Sequence, residues 1–298
     1  MKKVLDAIRP NPFDKLLKKV AQEGKERFLV VWNRGLGDIP LGLYALVHRI
    51  RTYIPNASVT FVTRPDLAEA FTMLDGVQVI VGSSWKRGKP IDIERALEEH
   101  SLSLNMFDVV LEKPDPTRWL KWQLGTLVPK LTWQDKWDDL VEKYELDPEE
   151  TYIGCHVQTE TGAYYGYEKN WDLPSWRNLF NKIKKGKILL FGLERKPAFL
   201  MDHVIDLRGK TTLFEMLSLI KNRCRYLVAP DSGVLSIAYY VNANFPIRIV
   251  SLWADPKQGV LRQNVSSPNP LLEHIPLHGK NDRIANIAVD TVVDSLFN

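Results

Sequence analysis

The chain has 298 residues, 45% hydrophobic and 26% charged, which allows two domains with cores of their own and excludes a disordered or fibrous protein. A formal net charge of +4 and a pI near 8.9 make it mildly basic, compatible with anionic ligands or a membrane surface but too weak to argue for nucleic acid. Its two cysteines, Cys155 and Cys224, lie far apart with no C-x-x-C and no histidine cluster, which points to a reducing cytoplasm and away from structural zinc.

Residues 1–24 are Lys-rich without the apolar run of a signal peptide, and no stretch approaches the ~18 apolar residues of a membrane helix. Leu16, Leu17 and Val20 beside Lys15, Lys18 and Lys19 give a short basic amphipathic helix. Two readings stay open for it, a surface helix packed on the first domain or a peripheral contact with anionic lipid.

A strand, FLVV (28–31), then runs into N-R-G-L-G-D-I-P (33–40) and a helix pattern over 41–54. This is the context of a dinucleotide loop, and Gly35 and Gly37 fit it. Pro40 holds the third glycine position, and the next strand ends in Thr63 and Arg64 where a ribose-binding acid belongs, so a nicotinamide or flavin role is disfavoured. Asp38 would repel a diphosphate here, which points to an uncharged ligand for the loop. As a residue before an apolar run with a proline two places on, Asp38 also fits a helix N-cap, and the loop alone favours that cap.

Strand and helix patterns alternate onward: 57–63, 64–74, 77–82, 92–100 and 107–112. Such alternation predicts a parallel sheet with helices on both faces. Residues 113–148, dense in tryptophan and charge, break it, so domains are expected at 25–146 and 147–298. Asp115 lies between two prolines and reads as a turn. The second half restarts with T-Y-I-G-C-H-V (151–157), then helix 173–184, strand 187–192, a helix near R-K-P-A-F-L-M-D (195–202), strand 203–209, helix 211–222, strand 225–230, helix 234–242 and strand 247–255. The fold class is α/β, two doubly wound units of Rossmann type. Two such units in one chain are expected to face a ligand cleft.

The stretch R-Y-L-V-A-P-D-S-G-V-L (225–235) is a strand, then Asp231, Ser232 and Gly233, then a helix. Amide groups at such a helix start suit an anion, though a plainly capped helix fits equally well. Taken with G-L-G-D (35–38), I-G-C-H-V (153–157), E-K-N-W (168–171), L-L-F-G-L-E (189–194), D-L-R-G-K-T-T-L-F-E (206–215) and V-S-L-W-A-D-P (250–256), the chain resembles the glycosyltransferase family of the lipopolysaccharide heptosyltransferases from residue 28 onward. The resemblance implies a GT-B fold and an inverting, metal-independent transferase that uses no cofactor. It implies a nucleotide-diphosphate sugar as donor, bound by the C-terminal domain, and a saccharide or glycolipid acceptor on the N-terminal one.

By the same resemblance Asp38 is the general base and Lys169 meets the donor diphosphate. Glu194 contacts the nucleotide. Thr159, Thr161, Asp231, Ser232, Gly233 and Ser236 complete the donor side, and Asn33, Arg34, Gly35 and Gly37 form the acceptor-side loop. Lys169 as a solvated surface lysine and Glu194 as a helix-start acid are the plain alternatives. Ser236 stands where many members carry histidine, and Tyr164, Tyr165 and Tyr167 add rings able to stack on a sugar or base or simply to cover the cleft. The competing reading is a degenerate GT-B protein that binds nucleotide-sugar or glycan without turnover.

Overall fold

The computed structural model describes residues 11–159 and 168–298, except the side chain of Thr117. Thr161, Tyr164, Tyr165 and Tyr167 lie outside the described residues. Two compact units meet between Pro129 and Lys130. The boundary expected at 146/147 falls inside the second unit, because Asp135–Tyr144 winds in tight turns against the helix Leu213–Asn222. Trp137 stacks on Phe214 with centroids 4.0 Å apart, Asp138 accepts from Lys221 at 2.7 Å and from Asn222 at 2.9 Å, and Lys143 pairs with Glu215.

In the first unit, β1 (Arg27–Trp32), β2 (Ser58–Thr63), β3 (Val77–Val81) and β4 (Val109–Leu111) form a parallel sheet in the order β3-β2-β1-β4. Successive connections leave β1 in opposite directions, so the loop after β1 lies at the switch point where sheets of this type hold ligands. Alternate residues Leu29, Val31, Val62 and Ile80 pack with Trp85, Ala96 and Leu97 on one face, and Phe61 meets Phe71 on the other at 4.6 Å.

Helix α1 (Pro12–Gln22) is capped by Asn11 and buries Phe13, Leu17 and Val20. Phe13 stacks on Trp119 at 4.8 Å, and Asp14 accepts two nitrogens of Arg49 at 2.8 and 2.7 Å. Lys15, Lys18 and Lys19 are exposed, so the apolar face of this helix is used by the protein itself and the lysines face solvent. Helices α2 (Tyr44–Tyr53), α3 (Pro65–Thr72) and α4 (Ile93–Glu98) follow the pattern of the sequence. Asp115, read as a turn, caps the short helix Pro116–Trp119 through the Arg118 amide at 3.1 Å.

The second unit holds β5 (Tyr152–His156), β6 (Lys187–Phe191), β7 (Val204–Asp206), β8 (Cys224–Pro230), β9 (Ile247–Trp253) and β10 (Leu272–His278), all parallel, in the order β10-β9-β8-β5-β6-β7. Numbered within the unit this is 3-2-1-4-5-6, the order of doubly wound nucleotide-binding sheets, with the switch between β5 and β8. Helices α5 (Leu173–Lys182) and, near the C-terminus, Val289–Phe297 cover one face through Trp176, Leu179, Phe180, Val292 and Leu296, and the helix Leu213–Asn222 is α6. Leu189, Leu227 and Ile249, pointing the other way, are fully buried as well. Cys155 and Cys224 are free thiols buried in this core, and burial pushes both well above the usual thiol range.

Two elements differ from expectation. Residues 195–202 form no helix: Pro197 disfavours helical backbone at Lys196, and the Arg208 guanidinium takes the carbonyls of Arg195 and Pro197 at 3.0 and 2.8 Å, fixing the segment as a loop. Strand β10 carries no clear alternation, because an edge strand with residues 272–278 half-exposed needs none. Among the described residues no helix is long and apolar enough to cross a membrane.

Candidate active site

The loop after β1 is built around its glycines. The Gly35 carbonyl accepts the Trp32 indole N–H at 3.3 Å, and a Cβ on Gly35 would come within 2.9 Å of Asp38 Oδ2, so the carboxylate folds back over Gly35. Asp38 has helical backbone angles, φ −70° and ψ −17°, and makes no side-chain capping bond. The N-cap alternative is therefore not met, and its oxygens are directed over the loop instead. Gly37 accepts the Leu41 amide at 3.2 Å. Arg34 lies over the Trp32 ring at 5.5 Å, and Asn33 is held by the buried Arg64 and by the Lys86 carbonyl. Arg64 thus puts a cation beside the loop where a dinucleotide enzyme carries an acid.

In the second unit, Lys169 donates to Asp231 Oδ2 at 2.5 Å, with the two side chains 17% and 10% exposed. Asp231 directly follows β8, which pairs with β5 at the switch of the sheet, so the Lys169–Asp231 pair sits at that switch. The other Asp231 oxygen lies against Gly259, where a Cβ would approach within 2.5 Å; Gly259 also has a φ of +52°, which favours glycine. Asp231 is thereby held between Lys169 and Gly259. Ser232 caps α7 (Gly233–Tyr240) through the Leu235 amide at 3.1 Å, so the helix begins at this edge with its positive dipole end.

A cavity of about 160 Å³ opens here, lined by Glu168, Lys169, Asp231, Trp253, Asp255 and Gln258 among others. Trp253 is fixed by its indole N–H on Ser251 Oγ at 2.6 Å, and that hydroxyl meets His274 Nε2 at 2.7 Å. Asn170 accepts the Thr159 N–H and donates to the Thr159 carbonyl, at 2.8 and 3.1 Å, beside Lys169. His156, at the end of β5, is buried with Nδ1 unpartnered among the described residues, and burial pushes its pKa down to about 4.

Lys169, Asp231, Ser232 and Gly233 thus come together, with Thr159 buried at the base of the same loop. Ser236 is buried inside α7 with its hydroxyl donating to the Ser232 carbonyl at 3.0 Å, a use internal to the helix. Glu194 is exposed, lies just past β6 at the same sheet edge, and does not line the cavity. Asn170, Trp253 and Gly259 carry no role in the sequence reading. The quoted motifs E-K-N-W and V-S-L-W-A-D-P end on or beside them, which is the signal that was there to find. Among the described residues no group of three or more His, Cys, Asp or Glu is arranged to hold a metal ion.

Two units, each built on a parallel sheet and the second with a polar pocket at its strand ends, define the class of fold as doubly wound α/β. Comparison with solved structures makes it narrower. The glycosyl transferase family 9 structure from Veillonella parvula DSM 2008 matches with a TM-score of 0.60 and 15% identity, over 91% of this chain and 96% of that one. The E. coli ADP-heptose lps heptosyltransferase II matches at 0.57 and 14%, over 91% and 97%, and the E. coli heptosyltransferase WaaC with ADP at 0.52 and 14%, over 90% and 98%. The chain has the fold of these glycosyltransferases. No family model matches the sequence, and no curated protein sequence matches it.

Proposed function

We propose that the protein is an inverting, metal-independent glycosyltransferase of GT-B type, moving a heptose-like or other hexose sugar from a nucleotide-diphosphate donor to a saccharide or lipid-linked acceptor. The observation that carries this reading is the Lys169–Asp231 pair at the switch of the six-stranded sheet, beside the start of α7. The first unit takes the acceptor and the second the donor. As the acceptor oxygen attacks the anomeric carbon, Asp38 takes its proton, and the bond from that carbon to the diphosphate oxygen breaks on the opposite side. The Lys169 ammonium, held by Asp231, stands as a cation at the strand ends where the diphosphate oxygens would lie. With the amides of Ser232 and Gly233 it takes up the charge of the leaving group in place of a cation. Glu194 reaches the nucleotide from the neighbouring strand end.

The test is a panel of nucleoside diphosphates and nucleotide-sugars, read first as thermal stabilisation and then as transfer in EDTA. Lys169→Ala should weaken nucleoside diphosphate binding by roughly 10- to 100-fold, the worth of a charge-assisted contact of ~1.5 to 3 kcal/mol. Asp38→Asn should keep that binding and the parent's stability while transfer falls by at least ~100-fold. Parent-like transfer by Asp38→Asn, or turnover that needs manganese or magnesium, would overturn the mechanism. Nucleotide-sugar binding without turnover by the parent would leave a binding protein of the same fold.

A further inference from the structure

We propose that Gln123 is a positioning residue for Asp38: it pins the turn that follows the carboxylate and so sets where that carboxylate points. The inference rests on the reading of Asp38 as the base. Residues Ile39–Leu43 wind as a π-helix, and the Tyr44 amide donates to the Ile39 carbonyl five residues back. Such a turn holds one residue more than the α ladder matches and leaves a carbonyl without its usual donor four residues on. Gln123 Nε2 donates to the Leu41 carbonyl at 2.9 Å, inside this turn and from 82 positions away.

Gln123 is 3% exposed, and its Oε1 is buried with no hydrogen-bond partner among the described residues. A buried amide with half of its bonding unmet is a poor choice for packing alone, since an apolar side chain of the same size carries no such cost. What the amide supplies is a side-chain donor to a carbonyl inside the turn. The same segment grips the turn from a second side. A Cβ on Gly42 would come within 2.7 Å of Pro116 Cβ, so the π-turn runs against residues 116–123 at the closest approach glycine permits.

Relaxing a π-turn to an α-turn removes one residue from the winding, which rotates whatever precedes it by roughly 100° about the helix axis. Asp38 is the residue that precedes it, and its carboxylate sits against Gly35. Loss of the Gln123 bond therefore moves the proposed base without touching the second unit.

The experiment uses the full chain with Gln123→Met. Expected are thermal stability and nucleoside diphosphate affinity near those of the parent, kcat lower by about 10- to 100-fold with donor KM little changed, and altered amide hydrogen exchange at Leu41, Tyr44 and Leu46. A merely structural role would lower Tm and leave kcat of the folded protein as it was. Parent-like kcat with parent-like exchange in Gln123→Met overturns the proposal. Should Gln123→Met fail to fold, Gly42→Ala, which presses the turn from the Pro116 side, is expected to give the same kcat loss, and a parent-like kcat there overturns it too. A parent that transfers no sugar from any donor would sink the transferase reading, whereas exchange at these amides still decides whether Gln123 holds the turn.

Discussion

At the scale of single residues, buried His156 and half-buried His274 give the protein a defined response to acid. Burial pushes His156 and His274 down to about 4 from an ordinary value of 6.5. Between those values the unfolded chain binds protons that the folded chain refuses, so this contribution is complete above pH 6.5 and is lost as pH falls toward 4. Its size is on the order of 2 to 3 kcal/mol for each histidine over the whole window. The melting temperature should therefore drop between pH 6.5 and 4.5, and replacing both histidines by asparagine should flatten that slope. An unchanged slope in the double variant would assign the acid response to other groups. At this scale the sequence was most legible where a residue acts by its place on a strand end. The strand-end place of Asp231, Ser232 and Gly233 follows from alternation, whereas Lys169 was singled out only by the resemblance carried by E-K-N-W. Asn170, Gln123 and Gly259 follow from neither, because each works through a contact that only the folded chain creates.

At the scale of elements, the loop after β6 is held by two reciprocal arginines. Arg208, 1% exposed, grips Asp206 and the carbonyls of Arg195 and Pro197, while Arg195 donates to the carbonyls of Arg208 and Gly209 at 3.1 Å each. The sequence pattern, read as a helix here, could not register a latch made by residues thirteen apart. Removing the guanidinium leaves a carboxylate and two carbonyls without their donor, so Arg208→Leu should cost about 2 to 4 kcal/mol. Arg208→Lys should recover little of it, since a point charge cannot serve a fork of three acceptors. Denaturant midpoints at constant m report both values, and a lysine variant as stable as the parent would remove the latch as the cause. The strands of both sheets were legible for the opposite reason: each is a short apolar run bounded by turn residues, and its neighbours supply the rest. The edge strand β10 escaped because half-burial leaves no strict period.

At the scale of the whole molecule, the sequence conveyed two α/β units but misplaced the division, since tryptophan and charge at 113–148 look like a linker until Trp137 meets Phe214. A fragment beginning at Lys130 should accordingly fold and bind a nucleoside diphosphate, whereas one beginning at Asp147 should melt well below it, having lost that stack and the bonds of Asp138 and Lys143. Equal melting temperatures for the two fragments would show that residues 130–146 lend the second unit nothing. The core of that unit also holds the chain's two cysteines, 155 and 224, both sealed from solvent and disfavoured as thiolates. An alkylating reagent can modify them only when the unit opens, because the thiolate is the species that reacts. The first unit carries no cysteine and is silent to the reagent. The rate of labelling in native buffer is thus a clock that ticks once per opening of the second unit, and a bound ligand of that unit alone should slow it.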